Sequence, residues 1–210
     1  MILIGQYDSP FVRRVGLALQ IYGLNYEHRP WSTYSDAEEI SHYNPLRRVP
    51  TLVLDDGEVL IESGAILDYL DELAEPVRRL IAATGAERRE TLRICALATG
   101  LCDKMVSLVY ENSFHSLTSD MWIERCTLQI RSVLDVLEHS LVAEKGQFWF
   151  GDRPGHADIA CACALGFLAE VHPAILASGN WPSLRGHAEI CEALEPFQIV
   201  KQRFKPPESV

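Results

Sequence analysis

Three short stretches hold side chains able to do chemistry: Ser9-Pro10, Val49-Pro50 and Glu62-Ser63. Ser9 follows a short apolar run and precedes a proline suited to the first turn of a helix. Its hydroxyl and the nearby backbone N–H groups therefore share one small space. A helix N-terminus carries about half a positive charge, which favours an anion there. A free thiol has a pKa of about 8.5 and is only slightly ionised at neutral pH. A hydroxyl donating to sulfur beside a helix end would stabilise the thiolate. Lowering that pKa by about two units takes about 2.7 kcal/mol, the scale of one charge-assisted hydrogen bond plus a helix end. Taken alone, Ser9 before Pro10 reads first as an ordinary N-cap.

Val49-Pro50 offers a second chemistry. In the cis form the turn exposes the Val49 N–H and C=O to pair with a peptide-like ligand as an added strand. In the trans form it is an ordinary turn entering a strand. Glu62-Ser63 is the third. Ser63 as the N-cap of a following helix would hold a carboxylate beside free backbone amides, and Glu62 would pair with an ammonium. An α-amino acid end presents both groups together, whereas a capped helix with a surface Glu is the plainer account. Arg47 and Arg48 could take a second carboxylate at the far end of such a ligand, or be a solvated basic pair.

The elements that must position these residues follow from the pattern. Ile2–Tyr7 reads as a buried strand. Val12, Val15, Ala18, Leu19 and Tyr22 recur at helical spacing, with Arg13, Arg14 and Gln20 elsewhere on the wheel, and Gly23 ends the helix. A second strand spans 25–29, and a short helix is expected near 36–41. Asp55-Asp56-Gly57 turns a hairpin between strands 51–54 and 58–61. A helix from Ser63 then carries Ala65, Ile66, Tyr69, Leu70 and Leu73 on one face. From Glu87 onward strand signals vanish. Long helical patterns cover 86–114 and the stretch from Trp122 to Leu141, a helix apolar nearly all round opens near Gly155, and a last one over 184–194 stops at Pro196. The division expected is an α/β domain over 1–75, a linker over 76–86 and an all-helical domain over 87–210.

The 210 residues carry a net charge of −10 with a pI near 5.1, and no dense Lys/Arg run. Such a surface repels phosphate backbones and anionic lipid, which excludes nucleic acid and membrane as partners. The N-terminus lacks a basic leader, and the longest apolar run, 159–169, is shorter than a membrane helix needs. A cytoplasmic protein is expected. Six cysteines with no C-x-x-C pair agree with a reducing compartment, and Cys161 and Cys163 read as small buried hydrophobes. The seven histidines have no metal-binding spacing, so no metal is expected.

In order along the chain, these motifs resemble the cytosolic glutathione-transferase family. The carriers are Ser9-Pro10-Phe11-Val12-Arg13-Arg14-Val15, Asn44-Pro45 followed by Val49-Pro50-Thr51-Leu52, and Glu62-Ser63. Gly151-Asp152-Arg153-Pro154-Gly155-His156-Ala157-Asp158 is similar to the family's buried-helix start, and Trp181-Pro182-Ser183-Leu184 to its last helix. The resemblance implies a thioredoxin-like N-terminal domain that binds glutathione, an all-helical C-terminal domain, and a homodimer. It makes Ser9 the sulfur-activating serine of the serine-type classes. Val49 becomes the backbone partner of the cysteinyl unit, Pro50 the cis-proline, Glu62 and Ser63 the γ-glutamyl contacts, and Arg48 a glycine-carboxylate contact. Tyr7 is the runner-up hydroxyl.

No cysteine lies at or beside position 9, which argues against mixed-disulfide chemistry, and the serine-cysteine cluster of the isomerase-type classes is absent. Gly155 replaces the usual Ser or Thr cap and leaves Asp158 without its hydroxyl partner, at a cost of a few tenths of a kcal/mol. For a second, apolar substrate the resemblance points to Phe11, Met105, Tyr110, Phe114 and His115, though core packing explains many of these equally well. The activity implied is conjugation of glutathione to small apolar electrophiles, a detoxification chemistry, with glutathione-dependent peroxide reduction as a close neighbour. The alternative is a binding or interaction protein on the same fold.

Overall fold

The computed structural model describes residues 1–142 and 146–206. Strands β1 (Ile2–Ile4), β2 (Glu27–Arg29), β3 (Thr51–Val53) and β4 (Val59–Ile61) form one sheet in the order β2-β1-β3-β4. β1 lies parallel to β2 and antiparallel to β3, with Leu3 opposite Leu52, and β4 returns antiparallel on β3. The period of two sorts the side chains. Ile2, Ile4, Val53 and Val59 share a cluster with Trp31, Ile40 and Tyr43, while the alternate residues Leu3 and Leu52 are fully buried on the opposite face.

Helix α1 (Pro10–Tyr22) ends where Gly23 turns left-handed (φ 68°) and Leu24 N–H closes back on the Leu19 carbonyl at 3.0 Å. A short α2 (Ala37–Ser41) carries Ile40 into the cluster, and α3 (Ser63–Leu73) packs on α1. The Tyr22 hydroxyl donates to Asp71 on α3 and accepts the Leu80 N–H at 2.9 Å, which ties the chain leaving this unit to both helices. A single 3-10 turn at Pro76–Arg78 lies within the expected linker.

The second unit is all helix: α4 (Gly85–Phe114), α5 (Asp120–Val142), α6 (His156–Val171), α7 (Pro173–Ala177) and α8 (Pro182–Glu192). Buried residues run all round α6 from His156 to Leu165, as its uniform apolarity predicts, and it packs on α4 and α8. Asp158 is its anchor. One carboxylate oxygen accepts the Trp149 N–H (2.9 Å) and His187 Nε2 (2.7 Å), and the other accepts the Gly155 N–H (2.8 Å). Gly155 gives Asp158 no hydroxyl partner, as its type implies, and His187 on α8 supplies a donor to the carboxylate instead. α8 in turn is capped from α5: the Glu138 carboxylate accepts the Ser183 and Leu184 N–H groups, each at 2.9 Å.

The last expected helix also differs. α8 stops at Glu192, and Pro196 opens a new helix, α9 (Glu195–Ile199), in its first turn, where the missing N–H costs nothing. α9 belongs to the sheet-bearing unit. That unit comprises Met1–Ile81 and Leu194–Arg203, and the helical unit comprises Ala82–Ala193 with the segment from Phe204. All six cysteines are buried thiols, none of them in a disulfide. Among the described residues no helix is long and apolar enough to cross a membrane, and no group of His, Cys, Asp or Glu side chains could hold a metal ion.

Candidate active site

Ser9 closes the loop between β1 and α1. Its backbone is extended (φ −72°, ψ 122°), its N–H donates to the Gln6 carbonyl at 3.2 Å, and its own carbonyl accepts the Arg13 N–H at 2.9 Å. The hydroxyl oxygen accepts the Val12 N–H at 3.5 Å, a long cap that engages the oxygen and leaves the hydroxyl proton to donate elsewhere. The cap reading and the chemical reading are thus compatible in one side chain.

Tyr7 is placed differently. Its ring stacks on His28 at 4.0 Å and its hydroxyl pairs with Tyr26 at 2.7 Å, which itself accepts Gln20 Nε2 at 3.0 Å. Burial, then the Tyr26 hydrogen bond, push the Tyr7 hydroxyl far above its ordinary pKa. A Cβ at position 16 would sit 2.5 Å from the Tyr7 ring, so Gly16 makes the room that seats it. The runner-up hydroxyl is engaged within the fold.

Val49 stands beside this loop. The Val49-Pro50 bond is cis. No hydrogen bond within the described residues uses the Val49 N–H or C=O. Gly5, at φ 127°, is where the two loops meet, since a Cβ there would lie 2.6 Å from Val12 and 2.8 Å from Val49. Asn44, buried, holds the Val49 loop: its Nδ2 donates to the Arg48 carbonyl (2.9 Å) and Thr51 Oγ1 (3.2 Å), and its Oδ1 accepts the Leu46 N–H (3.0 Å).

Glu62 and Ser63 open α3, with one correction. Glu62, not Ser63, occupies the N-cap position, in a left-handed conformation (φ 67°) unusual for a residue with a side chain, and neither caps through its side chain. Ser63 is the first helical residue. Its hydroxyl is buried and accepts Arg14 Nη1 at 3.5 Å. The first-turn amides of α3 are consequently left open to an anion, with the Arg14 guanidinium behind them.

Sequence reasoning set Arg13 and Arg14 off the buried face of α1; both are buried. Arg13 donates to the Phe197 carbonyl of α9 at 3.2 Å and lies 5.7 Å from the centre of its ring. Arg14 is 6% exposed, its side-chain hydrogen bond among the described residues is the long one to Ser63, and its buried Nε has no partner. The signal for Arg14 was its neighbours: positions 15, 17, 18 and 19 are all apolar, so a charge at 14 has little solvent to reach.

Arg48 meets Glu62. Its guanidinium lies 3.7 Å from the Glu62 carboxylate, and both are exposed. Arg47 pairs with Glu38 at 3.0 Å. Phe11 is half-buried on α1. In the helical unit Tyr110 and Phe114 lie on α4 with ring centres 5.7 Å apart, 38% and 40% exposed. Met105 is fully buried, with its carbonyl accepting His172 Nε2 at 2.9 Å, and is therefore core rather than pocket. His115 Nδ1 donates to Glu111 at 2.8 Å. An open cavity of about 370 Å³ between α1 and β2, lined by Gln20, Tyr26 and His28 among others, includes none of the expected site residues.

Known proteins resemble this chain over most of its length. Residues 3–78 match the model for the glutathione S-transferase N-terminal domain and residues 120–189 that for its C-terminal domain. An uncharacterised GST-like protein of Escherichia coli (strain K12), YibF, is 32% identical over 80% of this chain and 82% of its own. A maleylacetoacetate isomerase of Pseudomonas aeruginosa is 30% identical over 98% of both chains. A glutathione S-transferase from Methylobacterium radiotolerans, solved in complex with glutathione sulfonate, superposes with a TM-score of 0.90 over 100% of this chain and 98% of that one, at 25% identity. With both halves matched and full-length relatives at this identity, the chain belongs to the glutathione S-transferase family.

Proposed function

We propose that this protein is a glutathione transferase that binds glutathione along its thioredoxin-like unit and directs the thiolate onto small apolar electrophiles. The observation that carries the reading is Ser9 at the N-terminus of α1, its oxygen only loosely held by its own helix and its proton free to donate. Glutathione would lose its thiol proton to solvent, and the Ser9 O–H and the helix end would stabilise the sulfur anion. The unpartnered Val49 N–H and C=O would take the cysteinyl backbone as an added strand. The open amides of α3, with Ser63 and Arg14 behind them, would take the γ-glutamyl carboxylate, and Glu62 its ammonium. Arg48 would release Glu62 to meet the glycine carboxylate.

Rate enhancement then comes from the ionised sulfur and from holding two reactants together. Phe11, Tyr110 and Phe114 are proposed contacts of the apolar partner. The same proposal includes a homodimer in the cytoplasm, resting on the family resemblance. Calorimetric titration of glutathione with ultraviolet detection of thiolate tests the core of it. Wild type should bind and ionise glutathione, and Ser9→Ala should bind within a few-fold but lose ten- to a hundredfold of the thiolate at neutral pH. Binding without ionisation in wild type points instead to a non-catalytic glutathione-binding protein. No binding at millimolar glutathione leaves an interaction protein.

A second reading is favoured by the full-length likeness to a maleylacetoacetate isomerase: cis–trans isomerisation by reversible addition of the same thiolate to an activated double bond. Against it stands the loop Asp8-Ser9-Pro10-Phe11, which lacks the serine-cysteine cluster of the isomerase-type classes. Turnover of a maleyl-type substrate without net consumption of glutathione would decide for it.

A further inference from the structure

The loop that carries Ser9 is held at both ends of Tyr7. The ring end is fixed by His28, Tyr26 and Gly16. The backbone end is fixed from the far end of the chain, where Gln202 Oε1 accepts the Tyr7 N–H at 2.9 Å across 195 residues of sequence. Gln202 is in turn anchored. α9 precedes it, with Phe197 and Val200 fully buried, and Arg13 of α1 donates to the Phe197 carbonyl at 3.2 Å. The segment 194–203 therefore folds with the sheet-bearing unit although it follows helices α4 to α8 in sequence.

Tyr7 lies two residues before Ser9, and the Ser9 N–H donates to the Gln6 C=O (3.2 Å) across the turn. The Tyr7 peptide thus sets how the chain enters Ser9, while α1 holds the other side through the Arg13 N–H on the Ser9 carbonyl and the Val12 N–H on its hydroxyl oxygen. A hydrogen bond to a thiolate weakens steeply once its angle falls below about 120°, so a small rotation of this loop changes the ionisation of sulfur more than the binding of the peptide. We propose that Gln202 is a positioning residue for Ser9, and that the C-terminal segment sets the thiolate pKa of bound glutathione through the Tyr7 N–H. This rests on the reading of Ser9 given above, and goes beyond it by making the end of the chain part of the site.

The test uses the full-length protein with Gln202→Met, which keeps length but removes the acceptor, and Gln202→Glu, which keeps an acceptor oxygen. Tyr7 amide exchange in the unliganded protein should be at least tenfold faster in Gln202→Met and near wild type in Gln202→Glu. The pH profile of bound-thiolate absorbance should shift up by about one unit in Gln202→Met, a tenfold loss of thiolate on its acid side. KM for glutathione should stay within about twofold. The loss in kcat/KM should disappear at high pH, where the thiol ionises unaided. A merely structural role would lower activity equally at every pH. The inference is overturned if Gln202→Met keeps the wild-type pH profile, or loses activity uniformly with pH, while Ser9→Ala abolishes ionisation. In that case the Ser9 reading survives alone. If wild type never ionises glutathione, both readings fall together, whatever the amide exchange shows.

Discussion

The thioredoxin-like unit buries Arg14 to 6% exposure and the helical unit buries Asp158 to 1%, yet the two charges are treated in opposite ways. Asp158 accepts three hydrogen bonds between 2.7 and 2.9 Å, from two backbone amides and His187. Arg14 makes one bond of 3.5 Å to a serine hydroxyl and leaves its Nε bare. Burying a charge is costly unless it is paired and hydrogen-bonded. A saturated charge is using its partners to hold the fold. An unsaturated one, at the open end of a helix, costs the free protein stability and keeps donors in reserve for an anion.

Removing each charge should therefore have opposite effects. Asp158→Ala strands His187, the buried Trp149 amide and the part-buried Gly155 amide, and should lower unfolding free energy by about 3–5 kcal/mol, measured by urea denaturation of the helical unit's signal. A loss below about 1 kcal/mol would mean that the carboxylate is not the anchor its geometry indicates. The next largest effect is on binding. Arg14→Met removes a buried cation with little to lose inside the protein, so stability should hold or rise, while glutathione affinity falls about ten- to a hundredfold, the worth of one hydrogen bond to a charged group. If instead Arg14→Met unfolds the protein and leaves the affinity of the folded fraction unchanged, the two buried charges are alike and the contrast between them fails.

The same contrast explains what the sequence made legible. Each strand and helix in the order β-α-β then β-β-α, the Asp55-Asp56-Gly57 hairpin and the uniformly apolar α6 are local signals, written in fewer than twenty adjacent residues. Ser9 was legible for the same reason, because strand, serine and proline are contiguous. What escaped depends on distant chain. Arg13 reads as a solvent-facing residue until α9, more than 180 residues later, brings the Phe197 carbonyl and ring onto it. His187 compensates for Gly155 from 32 positions away. Ser63 reads as a cap because its type and place are right, but the positive φ of Glu62 starts the helix at Ser63 itself and turns its hydroxyl to Arg14. Arg48 and Glu62 meet because the loop and the hairpin fold back together, which spacing alone does not give.

Glu111 lies between the two extremes and makes the finest test of them. Near the end of α4, its carboxylate accepts the Ser119 N–H at 2.7 Å and His115 Nδ1 at 2.8 Å, joining the helix to the residue that immediately precedes α5. The Ser119 amide first, and His115 second, hold its pKa below the ordinary glutamate value. A carboxyl whose pKa is lower in the folded state adds stability that is fully present above its unfolded pKa of about 4.3 and is lost as pH falls through the folded value. Wild type should thus lose more melting temperature on acidification below about pH 4.5 than Glu111→Gln, which keeps an acceptor for Ser119 but cannot ionise. Parallel acid branches for the two proteins would mean that two donors at a helix end contribute nothing through charge. Saturation would then matter only where water is excluded as completely as it is around Asp158.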